Sequence, residues 1–345
     1  MCTAISLIAA EHYFGRNLDL EYSYNESVVI TPQNYEFQFR QVDNIETHYS
    51  IIGMAYVVDN YPLYYDATNE KGLSMAGLNY PKAEYKEFDD NKDNITPFEF
   101  IPWILSQCEN VTEAMELINN INLVNINFSD ELPLSPLHWM ISDKNESIVV
   151  ECEKKGLKVY KNKVNVMTNA PSFDKQLFNL NNYRHLSCKT PENTFGENLE
   201  LDVYSRGMGA IGLPGDLSST SRFVRAAFTL QNILLGNSEE ENVTQFFHTL
   251  DSVSQTKGCC EVEPGKYEYT IYSSCINTDQ GIYYYKTYFN SQINAINMYN
   301  YDLTSDELAI YPLNDYPDIN YQNSKKEEYM LQANFATKVL KNCII

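Results

Sequence analysis

The first side chain able to do chemistry stands at the start of the chain, where Cys2 directly follows Met1. Removal of Met1, which a small second residue permits, would leave a free α-amine beside a thiol on the same residue. Their ordinary pKa values, about 8 and about 8.5, are close enough for proton exchange at neutral pH. A terminal amine acting as base to its own side chain is an established way to activate a cysteine. The plainer uses of Cys2 are a small buried hydrophobe or a frayed end, and Cys2 alone does not decide between them.

Potential partners recur along the chain. Arg16 and Asp19 lie in FGRNLD, and a buried Asp19 could orient Cys2 while Arg16 holds that carboxylate bidentately and favours a thiolate. Three residues apart on an extended segment they face opposite sides, so aiming both at Cys2 requires a turn after Asn17. Asn79 and Asn169 share one context, a strand followed by Asn and then Pro two residues on. An amide at a strand exit is a ready oxyanion donor, and Asn near Pro is equally ordinary turn chemistry. Arg222 and Arg225, in SSTSRFVR, open a helix against its dipole, which calls for a partner such as Asp216 or an active-site carboxylate.

The elements that must hold these residues are legible from periodicity. Residues 3–9 and 12–18 read as a hairpin carrying Cys2 at a sheet end. Further strands are expected at 27–31, 51–58, 73–77, 138–142, 147–152, 157–160 and 164–168. Helices are expected at 98–108, at 112–120 with Thr112 as N-cap, at 221–235 and at 242–251. Residues 170–200 read as an extended loop with one short helix, 207–217 as a shaped loop, and 267–276 with 281–289 as an antiparallel pair. Strands and helices come in runs rather than in βαβ alternation, which predicts an α+β chain. No linker or repeat divides it, so 1–345 reads as a single catalytic domain.

Composition narrows the function. A net charge of -21 argues against nucleic acid and anionic membrane as partners. The five histidines and eight cysteines lack metal-ligand spacing, and no phosphate or dinucleotide fingerprint is present, so no metal or cofactor is expected. No export signal or membrane span is visible, which predicts a cytoplasmic protein with reduced thiols.

Seven segments together resemble the choloylglycine hydrolase family, which contains bile salt hydrolases and penicillin V acylases. They are MCTA at 1–4, FGRNLD at 14–19, NEKGLSMAGLNYP at 69–81, LHWMISD at 137–143, VMTNAPSFD at 166–174, GLPGDLSSTSRFVR at 212–225 and GIYYYKTY at 281–288. The resemblance implies an N-terminal nucleophile hydrolase with a four-layer αββα fold, two stacked antiparallel sheets between helices, assembled as a homotetramer. It implies Cys2 as nucleophile, flanked by Arg16 and Asp19. It puts Asn79 and Asn169 at the oxyanion site and Arg222 in the same network, the second oxyanion donor being the N–H after Asn79.

Asn79, where penicillin V acylases tend to carry Tyr, leans toward conjugated bile salts as substrate. Loops around Leu18–Tyr24, Val58–Tyr65 and Ser129–Leu137 are apolar and tyrosine-rich, so Leu18, Tyr22, Tyr24, Val58, Tyr65 and Leu137 are expected to line the acyl pocket. A bulky Tyr65 would narrow it. The alternatives are a penicillin V acylase, an N-acyl homoserine lactone acylase and an inert small-molecule binding protein.

Overall fold

The computed structural model describes residues 1–323. Residues 324–345, with Cys343 and the end of the expected domain, lie outside the described residues. Two antiparallel sheets organise the chain. The first strands are β1 (Cys2–Ile8), β2 (His12–Leu20), β3 (Ser27–Thr31), β4 (Ile51–Val58), β5 (Tyr61–Asn69) and β6 (Ser74–Asn79). A six-stranded sheet runs in the order Val166–Met167, β1, β2, Tyr269–Asn277, Ile282–Thr287, Asn294–Asn297. An eight-stranded sheet runs Gly156–Lys161, Ser147–Glu153, Leu137–Ser142, β6, β5, β4, β3, Ala309–Pro312.

The helices are α1 (Phe100–Gln107), α2 (Val111–Ile118), α3 (Phe173–Asn179), α4 (Ser219–Asn232) and α5 (Glu239–Asp251). Strand alternation sorts the side chains between two cores. Val28, Ile30, Ala76, Met140 and Val149 face the six-stranded sheet, within a core that also takes Phe223 of α4 and Phe246 of α5. Their strand neighbours Val29, Met75, Trp139, Ile141 and Val150 face the other way, against Phe100 and Ile104 of α1 and Val111 of α2. The result is an α+β stack of helices, sheet, sheet and helices, as expected.

β2 is covered on both faces, and His12, Arg16, Asn17 and Asp19 are all buried in it. Gly15 lets its neighbour strand approach, because a Cβ there would lie 2.1 Å from the Ser274 carbonyl oxygen.

Three local expectations differ from the structure. Val58–Tyr65 is not a loop but the tip of the β4–β5 hairpin, turned by Asp59 and Asn60 at φ 51° and 59°. β5 is hard to read from YPLYYDATN, because Pro62 and a turn without Gly hide the hairpin. The N-cap of α2 is Asn110, whose side chain accepts the Glu113 N–H, rather than Thr112. β2 runs unbroken to Leu20, so no turn follows Asn17.

Candidate active site

Register explains how β2 serves Cys2 without a turn. Cys2 pairs with Leu18, and Ala4 with Arg16, so these four residues share one face of the sheet. On that face Arg16 reaches across to the eight-stranded sheet, donating through Nη1 to the carbonyls of Tyr65 (3.0 Å) and Gly77 (2.5 Å). Thr3, Asn17 and Asp19 occupy the opposite face, toward the helices, where the Asn17 amide donates to the Leu250 carbonyl in α5. The strand end is thus approached from both sides.

Arg16 therefore does not clamp Asp19. The buried Asp19 carboxylate accepts from Thr270 Oγ1 (2.7 Å) and Gln255 Nε2 (3.2 Å), and its cation is Arg222, with Nη1 4.0 Å away. Arg222 is fully buried in the first turn of α4. It donates to the Cys2 carbonyl (2.5 Å), Thr3 Oγ1 (2.6 Å) and Asn169 Oδ1 (2.7 Å). Burial pulls the Arg222 pKa down, and the nearby Asp19 opposes that pull. Arg225 turns elsewhere, to the carbonyls of Ser252 and Pro214.

Asn169 is the junction. Its Oδ1 accepts from the Cys2 backbone N–H (2.9 Å) as well as from Arg222, and its Nδ2 donates to the Asn79 carbonyl (2.7 Å). Ser219, at the start of α4, holds the Asn169 backbone N–H through Oγ (2.9 Å). Met1 still precedes Cys2. Its ammonium donates to the Asp19 carbonyl (2.8 Å) and contacts the Glu268 carboxylate, and burial lowers its pKa.

Asn79 lies exposed at the exit of β6, and its carboxamide has no hydrogen-bond partner among the described residues. The backbone donor expected beside it is already used. The Tyr80 N–H donates to the Pro136 carbonyl (2.7 Å), because the strand pairing continues past Asn79. Of the expected pocket residues, Leu18 is buried opposite Cys2. Tyr65 packs on the same core and Val58 sits beside the hairpin turn. Tyr22 and Tyr24 are exposed, their hydroxyls 2.9 Å apart. Leu137 differs from the expectation. It pairs with Asn79, but its side chain packs with the outer core of Trp139, since alternation turns it away from Cys2.

Sequence reasoning did not single out Thr3, Gln255, Thr270 or Glu268. Thr3 sits in the MCTA segment, one residue from Cys2; the other three are distant in sequence and carry no motif.

A model of the linear amide C–N hydrolases, choloylglycine hydrolase family, matches residues 2–311. The chain belongs to the choloylglycine hydrolase family. Within that family it is 60% identical to a bile salt hydrolase/transferase of Lactiplantibacillus plantarum, over 91% of this chain and 97% of the relative. It is 39% identical to the bile salt hydrolase/transferase of Clostridium perfringens, over 94% and 100%. The crystal structure of the C2A variant of a conjugated bile acid hydrolase from Clostridium perfringens superposes with a TM-score of 0.86, at 38% identity, covering 93% of this chain and 99% of that one. This choloylglycine hydrolase therefore acts on linear amide C–N bonds.

Proposed function

We propose that the chain hydrolyses glycine- or taurine-conjugated bile salts to the free bile acid and the amino acid, once Met1 has been removed. The observation that carries the reading is the junction at Asn169, which ties the Cys2 nitrogen, the Arg222 guanidinium and the Asn79 carbonyl together within 2.9 Å. The names of the relatives supply the substrate class.

The Cys2 thiol gives its proton to the freed α-amine, and the sulfur attacks the amide carbonyl. Asn79, at the exit of β6 and tied to Asn169, supplies a donor to the tetrahedral oxyanion. The ammonium returns a proton to the leaving nitrogen, the amino acid departs, and a thioester remains. Water, deprotonated by the same amine, cleaves the thioester and restores the thiol. Asn169, Asp19 and Arg222 hold the new terminus on one face of the sheet, and Arg16 supplies positive charge on the other. Leu18, Tyr22, Tyr24, Val58 and Tyr65 form the acyl-side rim.

The remaining features of this reading concern the whole molecule. It needs no metal or cofactor and is cytoplasmic. No helix among the described residues is long and apolar enough to cross a membrane. The described residues 1–323 form one catalytic unit. The assembly is a homotetramer, for which the exposed Phe195, Leu199, Leu201, Val203 and Tyr204 offer an apolar surface.

Release of glycine or taurine from glycocholate and taurocholate by the purified enzyme, against hydrolysis of penicillin V, tests the substrate class. Bile salts are expected to give the higher kcat/KM. A preference for penicillin V of about tenfold or more would overturn the assignment.

A further inference from the structure

His138, in the LHWMISD segment, has been given no part in the reaction so far, yet it touches the chain neighbour of both asparagines. It sits on the central strand Leu137–Ser142, opposite Leu78 of β6 on one side and Glu151 on the other. The residue is 1% exposed. One ring nitrogen, Nε2, lies 2.7 Å from the carbonyl of Thr168, the residue before Asn169. Its face stacks on Tyr80, the residue after Asn79, with centroids 4.7 Å apart and planes 7° from parallel. The other nitrogen, Nδ1, lies 3.3 Å from Glu151 Oε1.

Hydrogen-bond logic fixes the roles. The Thr168 carbonyl can only accept, so Nε2 carries a proton and donates. Glu151 Oε1 already accepts the N–H of Phe173, the first residue of α3, at 2.9 Å. One proton then bridges Nδ1 and the carboxyl, and the buried pair is neutral overall wherever that proton sits. The pair anchors the start of α3, the Thr168 carbonyl and the Tyr80 ring at once, bracketing the segment that carries Asn169.

We infer that His138, backed by Glu151, is a positioning residue that sets Asn169 against Cys2 and Asn79 at the mouth of the site. The assignment rests on the reading of Cys2, Asn79 and Asn169 as the reaction centre. A displacement of about 1 Å at such a site costs on the order of a hundredfold in rate, while substrate contacts far from it are unaffected. The expected signature is therefore a loss in kcat with little change in KM.

The test compares wild type, His138→Ala, His138→Gln and Glu151→Gln on glycocholate and penicillin V, beside the alkylation rate of Cys2 by iodoacetamide read on the N-terminal peptide. Wild-type turnover and its loss in Cys2→Ala test the reaction centre alone. The ratios of variant to wild type, in turnover or in alkylation, test His138. His138→Ala is expected to lower kcat by about ten- to a hundredfold with KM within about threefold. His138→Gln, whose amide can still donate to the Thr168 carbonyl, is expected to recover most of that loss. Glu151→Gln keeps the shape but cannot both accept from Phe173 and share a proton with His138, so kcat falls about tenfold. A folded His138→Ala variant with wild-type kcat and alkylation would overturn the inference. So would a His138→Gln no better than His138→Ala at equal Tm, which would mean a packing role. Should His138→Ala fail to fold, an unchanged kcat in Glu151→Gln would overturn it by itself.

Discussion

Asn169 Oδ1 stands 2.9 Å from the backbone nitrogen of Cys2, and its other amide atom, Nδ2, stands 2.7 Å from the carbonyl of Asn79. One carboxamide thus spans from the six-stranded sheet, where Cys2 begins β1, to the eight-stranded sheet, where Asn79 ends β6. An acceptor and a donor are both needed, so its nearest isosteres fail in different ways. Asn169→Asp keeps the acceptor toward Cys2 and Arg222 but sets a carboxylate oxygen against a carbonyl oxygen. Asn169→Ala loses both links. Each is expected to lower kcat by about a hundredfold. Equal activity of Asn169→Asp and wild type would mean that the link to Asn79 does not matter.

The Met1 ammonium donates to the Asp19 carbonyl and lies against the buried Glu268 carboxylate, so the unprocessed terminus is held at the end of the sheet. A chain that retains Met1 is expected to fold normally and to have no measurable turnover, because Cys2 then lacks a free amine. Intact mass separates the two forms, and activity should track the processed fraction. Cys2→Ser is expected to lose activity while keeping Tm. Full turnover by Cys2→Ser or by a Met1-bearing sample would exclude the mechanism.

The contrast between these residues explains what was legible beforehand. Cys2, Arg16, Asp19, Asn79, Asn169 and Arg222 lie in local motifs; strand periodicity marks most of the strands that carry them, and the family resemblance implies their two stacked sheets. Their pairing was not legible. Arg16 and Asp19 share a motif, yet β2 sends them to opposite faces, and the cation beside Asp19 comes from α4, some two hundred residues later. Such pairings depend on which sheets stack, which no local pattern encodes. The Tyr80 N–H is engaged for the same reason, since its acceptor Pro136 belongs to a distant segment. β5 escaped because Pro62 and a Gly-free turn mask it.

Arg16 also balances a buried anion. The carboxylate of Asp66 in β5 accepts from Tyr272 (2.6 Å), Tyr283 (2.7 Å) and Ser274 (3.1 Å), all from the six-stranded sheet. Burial raises the Asp66 pKa, and Arg16 opposes that rise. Removing the guanidinium in Arg16→Met should cost about 3 kcal/mol at neutral pH. Without Arg16 the folded-state pKa of Asp66 rises further above its unfolded value. Stability from that group is then full below the unfolded pKa and is lost as pH rises through the folded one. The Tm gap between Arg16→Met and wild type should therefore be widest near pH 7 and narrow toward pH 4. A gap independent of pH would mean that Asp66 does not respond to Arg16.

His12 should dominate acid sensitivity with the opposite sign. It is buried among hydroxyls, with Nε2 2.9 Å from Ser6 Oγ and Nδ1 2.9 Å from Thr278 Oγ1, and burial lowers its pKa to about 4 despite the nearby Asp143 and Asp279. Hydroxyls can donate or accept, so they suit a neutral ring. The folded pKa lies below the unfolded value of about 6.5, so the unfolded chain binds the proton more readily. The contribution is full above pH 6.5 and is lost as pH falls toward 4, to a total of roughly 3 kcal/mol. Asp66 and Glu99, both raised by burial, act the other way and are most favourable at low pH. His12→Gln removes the histidine term and leaves theirs. The variant is expected to be the less stable protein at pH 7, through lost packing, and to lose less stability than wild type between pH 6.5 and 4.5. Parallel Tm curves for the two proteins across that window would show that His12 does not set the acid limit.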